Sequence, residues 1–132
     1  MCADTDNCCD NAVKCAGSFL YFCKTQMKKT LPHDVFRCGI GFHYGEMKVI
    51  KVGLTMQSDE SNDYKNLVWI GEPANLASRS TDVAGKNNLP AIFISKDVYK
   101  RMAFKKIHFA LVDKKKFKDI VFDVYGCNLL IK

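Results

Sequence analysis

The sequence predicts one domain with an α+β fold. The chain has 132 residues, of which 48% are hydrophobic, enough for a core in a single domain. Residues 10–28 place apolar side chains at helical spacing, whereas residues 35–55 have the apolar runs of strands. The full predicted order is helix, strand, strand, strand, helix, strand, helix, strand, strand, which is typical of the α+β class.

The first half of the chain predicts an amphipathic helix followed by a hairpin. The helix covers residues 10–28, with Asp10 or an earlier polar residue as its cap, and it ends in the segment 28–32. Its apolar positions are Ala12, Cys15, Ala16, Phe19, Cys23 and Met27. In residues 35–55 two strands meet near Gly45, which can supply a positive φ, so we expect them to pair as a hairpin.

The second half alternates strands and helices. Residues 56–66 are polar without periodicity and predict a surface loop. The remaining predicted elements are a strand at 67–70, a helix at about 73–84 closed by Gly85, a strand at 91–94, a helix from a Ser95 cap through Met102, and strands near 107–112 and 117–125.

Composition narrows the class of protein. The seven cysteines are odd in number and include no Cys-x-x-Cys pair, which favours reduced thiols packed in the core over disulfides or zinc. No apolar run reaches membrane-spanning length and the N-terminus is polar, so we expect a cytoplasmic protein without a membrane partner. The net charge of +6 suits anionic nucleotides on a solvated surface; binding to RNA is a third, weaker hypothesis, without a supporting motif.

The most informative segment runs from Gly71 to Thr81, directly after the predicted strand 67–70. Pro73 suits the first turn of a helix, which places Asn75 and Arg79 one turn apart on one flank. Leu76, Ala77, Val83 and Ala84 share another flank that can pack on a sheet. In the simpler interpretation, Asn75 bonds to the local backbone and Arg79 forms a solvated pair with Asp82.

This strand-to-helix step resembles the catalytic domain of class III nucleotide cyclases, the adenylate and guanylate cyclases. That family carries Gly-x-x-x-Asn-x-Ala-x-Arg, and this chain has Gly71, Asn75, Ala77 and Arg79. Two further stretches match in the family's order: Gly39-Ile40 with Gly45-Glu46, and Ile94-Ser95 with Val98-Tyr99. The resemblance covers roughly residues 10–127 and implies a ferredoxin-like cyclase core.

The resemblance implies conversion of a nucleoside triphosphate to a 3′,5′-cyclic nucleotide and pyrophosphate. Arg79 would then stabilise the transition state, Asn75 would orient the ribose, and a lysine among Lys114, Lys115 and Lys116 would bind the terminal phosphates. Val68 stands where purine cyclases carry a polar residue that reads the base. The chain is in this respect similar to a divergent bacterial branch that includes pyrimidine nucleotide cyclases.

The family's two metal-binding aspartates lie in an opening strand-helix-hairpin unit. The nine residues before Asp10 cannot supply that unit, so we expect a partial domain over residues 1–132 with no metal site of its own. The complete domain would use Mg²⁺ or Mn²⁺. We expect this chain to be inactive alone and to act in a homodimer or with a complementary cyclase half. The alternative is a degenerate cyclase-homology module that binds nucleotide or dimerises without turnover.

Overall fold

The protein has an α+β fold with two separate sheets, described by a computed structural model over residues 7–31, 37–52, 66–113 and 122–132. The elements in chain order are α1 (Cys8–Phe22), a π-helical turn (Cys23–Met27), α2 (Lys28–Thr30), β1 (Ile40–Phe42), β2 (Lys48–Val52), β3 (Asn66–Ile70), α3 (Glu72–Val83), β4 (Ile92–Ser95), α4 (Lys96–Arg101), a 3₁₀ turn (Lys106–His108), β5 (Ala110–Leu111) and β6 (Val124–Cys127).

The larger sheet has four strands in the order β1-β4-β6-β5. β1 runs parallel to β4, and the other two pairs are antiparallel. Every residue of β4 is buried, as expected for a strand with neighbours on both sides and helices on both faces. Ile92 and Ile94 pack in a core cluster with α1 and α4, whereas Phe93 packs in a second cluster with Val124 and Ala84.

The first predicted helix is confirmed and is longer than expected. α1 begins at Cys8 and continues through the π-helical turn to Thr30. Asp10 is not its N-terminal cap, because Asn7 occupies that position. The Asp10 carboxylate instead accepts hydrogen bonds from the backbone N–H groups of Ala103 and Phe104, at 2.8 and 3.0 Å, just after α4. Cys15, predicted to pack in the core, is exposed.

The predicted hairpin within residues 35–55 is wrong. β1 pairs with β4, and β2 pairs antiparallel with β3, so the two strands belong to different sheets. Gly45 has no positive φ in the connection between them. An added Cβ at Gly45 would lie 2.5 Å from Pro73 Cγ, so this glycine permits close packing against the start of α3.

The glycines before and within β1 let α3 approach the strand at backbone distance. A Cβ on Gly41 would lie 2.5 Å from the carbonyl oxygen of Ala77, and one on Gly39 would lie 2.2 Å from that of Ala84. Neither position can hold a larger side chain without displacing the helix. The orientation of α3 on the sheet is therefore fixed by contacts along much of its length.

The C-terminal part differs in detail from the prediction. Residues 106–108 form a 3₁₀ turn after Lys105, whose φ is 53°, so the strand predicted at 107–112 is reduced to β5. Of the strand predicted at 117–125, the structure describes only the residues from 122 onward, and the strand observed there is β6. Among the described residues, no helix combines the length and apolar character needed to cross a bilayer.

Candidate functional site

α3 presents the two residues singled out by the sequence. The helix begins at Glu72, directly after β3 and Gly71, with Pro73 in its first turn as predicted. Asn75 and Arg79 are both exposed and stand one turn apart. On the other side of the helix, Ser80 and Ala84 are each 1% exposed. Of the predicted packing flank, Ala84 is buried and Leu76, Ala77 and Val83 are partly buried, whereas the buried Ser80 was not predicted.

Neither side chain of this pair is bound to another side chain or to the backbone in the part of the chain that the structure describes. Within the described ranges, no hydrogen bond or ion pair involves the amide of Asn75 or the guanidinium of Arg79, and Asp82 does not pair with Arg79. Only the backbone N–H of Asn75 is engaged, with the Gly71 carbonyl at 3.4 Å, as part of the first helical turn. An amide donor and acceptor and a guanidinium therefore face outward together, free to bind a ligand.

Of the other predicted site residues, Val68 lies in the described part of the chain and the three lysines lie outside it. Val68 lies in β3, opposite Ile50, and its side chain is 40% exposed. The strand that contains Val68 leads directly into α3, the helix that contains Asn75 and Arg79. Lys114, Lys115 and Lys116 lie outside the described residues.

A buried polar contact beneath this helix was missed by the sequence reasoning. His43 Nε2 lies 3.2 Å from Ser80 Oγ, which donates its own hydrogen to the Leu76 carbonyl at 2.9 Å. The serine oxygen therefore accepts from His43, which places the ring proton on Nε2. Ser80 follows Arg79 directly, and His43 follows Gly41 by two residues, the spacing at which strand side chains share a face. This spacing was the signal in the sequence from which the position of His43 beneath α3 could have been predicted.

The His43 ring is packed and uncharged at neutral pH. It meets Phe122 edge to face, with ring centroids 4.7 Å apart and an interplanar angle of 85°. Burial lowers the pKa of His43 to about 4, although the Asp97 carboxylate acts in the opposite direction. A histidine in this state supports α3 as a neutral hydrogen-bond donor and adds no positive charge near Arg79.

The described residues do not fit a divalent metal site. No three His, Cys, Asp or Glu side chains in that part of the chain converge in a way that could hold an ion. Asp10 is committed to the two amides after α4. A nucleotide site at α3 would need its metal ligands from elsewhere.

A cavity of about 230 Å³ lies away from this helix flank, and none of Val68, Asn75 and Arg79 lines it. The candidate site is instead an open surface, with one polar flank of α3 and the end of β3. A surface of this kind encloses a small ligand only when a second molecule covers it.

No protein-family model matches the sequence, and no curated protein matches it.

Proposed function

We propose that this chain is the C-terminal part of a class III nucleotide cyclase domain, which forms a 3′,5′-cyclic nucleotide and pyrophosphate from a nucleoside triphosphate. One observation carries the proposal. Asn75 and Arg79 are exposed and unengaged by the rest of the described chain, in the pattern Gly71-x-x-x-Asn75-x-Ala77-x-Arg79 after a strand. The motif's Gly71 packs closely against the backbone of Glu46 and Met47, whereas its amide and guanidinium form no hydrogen bond or ion pair with the described residues.

The proposed cyclisation requires side chains of the kind that α3 exposes. The ribose 3′-oxygen bonds to the α-phosphorus, the bond to the leaving pyrophosphate breaks, and negative charge grows on the phosphate oxygens. The Arg79 guanidinium offers several N–H donors in a fixed plane to those oxygens. The Asn75 amide holds the ribose so that its 3′-oxygen lies in line with the bond that breaks. A lysine among Lys114, Lys115 and Lys116 would neutralise the terminal phosphates.

Mg²⁺ or Mn²⁺ belongs to the complete domain and activates the 3′-hydroxyl there. The described residues of this chain do not supply its ligands, so the part assigned to this chain is limited to binding and transition-state stabilisation. In class III cyclases the site lies between two protomers, one with the metal carboxylates and the other with the Asn and Arg. This chain fits the second of these roles.

The two-stranded sheet supports association with a second cyclase protomer, either another copy or a complementary half. Six of its apolar side chains are 40–51% exposed: Val49, Ile50, Val52, Val68, Trp69 and Ile70. They lie on both faces of β2 and β3, because alternate residues of a strand point to opposite sides. A two-stranded sheet is marginal alone, and exposed apolar side chains on a sheet face are typical of an interaction site. β1 also lies at an edge of the four-stranded sheet.

We place this assembly in the cytoplasm, in keeping with the six described cysteines, which are free thiols in the structure. A second candidate function is a module that binds nucleotide or dimerises without turnover. The engagement of the Asp10 carboxylate by the amides of Ala103 and Phe104 favours it, since this acid is not free to bind a metal ion.

Complementation separates the two candidates. The chain is incubated with a class III cyclase domain that retains its metal aspartates but has alanine at its own Asn and Arg. The four nucleoside triphosphates and Mn²⁺ are added, and cyclic products are detected by mass spectrometry. Product in the mixture, and in neither protein alone, supports the cyclase role. Binding of triphosphate with no product supports the module.

A further inference from the structure

The cavity of about 230 Å³ contains two cysteine thiols. Cys23, the first residue of the π-helical turn, and Cys38, which precedes β1, both contribute to its lining. Its walls also include the apolar side chains of Leu20 and Leu89. The volume exceeds that of several water molecules, so small reagents can enter it.

The two thiols line the same cavity, although they are 15 positions apart in the chain. Cys23 is 6% exposed and Cys38 is half-buried, and the proximity of Cys23 raises the pKa of the Cys38 thiol. Cys8 and Cys9 also approach each other, at 3.9 Å between sulfurs, but they are adjacent residues. Among the described cysteines, Cys23 and Cys38 are the two that line this cavity, one from the π-helical turn and the other from the segment before β1.

The rim of the cavity is cationic. Lys24 and Arg37 line it, and both residues are exposed. Each directly adjoins one of the cysteines in the chain, so two positively charged residues border the cavity that the thiols line. A small anion is therefore drawn toward the cavity. The cavity thus combines an anion-attracting rim with a pair of neighbouring thiols.

We propose that Cys23 and Cys38 form a reversible disulfide by exchange with a small anionic disulfide. The half-buried Cys38 loses its proton and attacks one sulfur of the reagent, which releases the first reagent thiol. Cys23 then attacks the Cys38 sulfur of the mixed disulfide and releases the second. The two protein thiols are oxidised, the reagent disulfide is reduced to two thiols, and both cysteine protons leave with them.

The surroundings of Cys38 determine the rate at which this thiol attacks the reagent disulfide. Burial raises the pKa of the Cys38 thiol, and the neighbouring Cys23 raises it further. The reactive thiolate is therefore scarce at neutral pH, and exchange at Cys38 is slower than at the exposed Cys15. Once the mixed disulfide forms, the neighbouring Cys23 resolves it within the same molecule, where the effective concentration is high.

The test is peptide mapping of the folded chain after treatment with oxidised glutathione. Cys15→Ser is used as background, so that tryptic peptide 15–24 holds Cys23 alone and peptide 38–48 holds Cys38. We expect these two peptides to be linked as the main product, and dithiothreitol to separate them. The linked pair should be lost in Cys38→Ser.

The same treatment of the urea-unfolded chain should give mixed pairings among all cysteines, which shows that the fold directs the native pairing. Two results would overturn the proposal. One is a stable glutathione adduct on Cys38 without the link to Cys23. The other is a folded chain whose main disulfide joins other cysteines. Both readouts come from the Cys15→Ser protein itself, so they do not depend on whether a Cys23 variant folds.

Discussion

His43 Nε2 lies 3.2 Å from Ser80 Oγ, and this contact ties the end of β1 to the buried side of α3. Ser80 is 1% exposed and follows Arg79 directly in the helix. The orientation that turns Arg79 outward is thus held from beneath by one neutral imidazole and one hydroxyl. Support of this kind, from groups that never touch a ligand, is what a preorganised surface needs.

The His43 contact predicts a loss of stability in acid. The pKa of His43 is about 4 in the fold, below the ordinary value of 6.5, so the unfolded chain binds this proton more readily. The free energy of unfolding is therefore unaffected by this group above pH 6.5 and decreases as the pH falls toward 4. We expect a loss of about 1 kcal/mol, reduced by solvent screening of a half-buried group.

Urea unfolding of the wild type and His43→Asn at several pH values measures this effect. The variant should lose less stability than the wild type between pH 6.5 and 4, and the exposed His108→Gln should behave like the wild type. Parallel pH profiles of the free energy of unfolding for the wild type and His43→Asn would contradict the lowered pKa of His43.

Gly41→Ala should destabilise the protein through α3. The new methyl would lie 2.5 Å from the Ala77 carbonyl oxygen and 2.8 Å from Ser80 Cβ, so the helix must move. We expect a cost of about 1–3 kcal/mol in thermal or urea unfolding. Gly17→Ala is the matched control, because its methyl meets the flexible end of Ile131 and improves helix propensity. Equal costs for the two variants would show that close packing at Gly41 is unimportant.

Asp10→Ala should lower stability because the carboxylate accepts hydrogen bonds from two backbone amides after α4. The expected cost is about 1–2 kcal/mol, since these bonds involve a charged acceptor near the surface. Asp82→Ala, at an exposed position of α3, should leave the unfolding midpoint nearly unchanged. An unchanged midpoint for Asp10→Ala as well would make Asp10 available for another role, such as metal binding.

Base choice should depart from the adenylate pattern, because the apolar Val68 replaces a hydrogen-bonding residue. Val68 is 40% exposed in the middle of the strand that leads into α3, and its side chain cannot accept a hydrogen bond from an adenine amino group. Comparison of the four triphosphates in the complemented assay gives the measurement. A preference for ATP above about tenfold would show that another residue reads the base.

The sequence was most informative where local chemistry decides the structure. Pro73 and the apolar spacing after it predicted α3, and the same spacing predicted that Asn75 and Arg79 would be exposed together. The Ser95 cap of α4 was predicted for the same reason, and its hydroxyl accepts from the Val98 N–H. Each of these features depends on residues within one or two turns.

Features that depend on distant residues were missed. β1 and β2 each have strand character, but their partners are set by contacts across the chain, and β1 is paired with β4, about fifty residues later in sequence. The role of Gly45 was misjudged because Pro73, which it packs against, is distant in sequence. The His43–Ser80 contact spans 37 positions and could be located only after β1 was placed under α3.

The most direct test of the central claim is the effect of Arg79→Ala on cyclic nucleotide formation in the complemented assay. Removal of one transition-state donor should lower turnover by about 10² to 10³, while unfolding is little affected because Arg79 is exposed. Arg37→Ala, another exposed arginine, serves as the control and should retain turnover. Near-full turnover with Arg79→Ala, or product from this chain alone, would contradict the account.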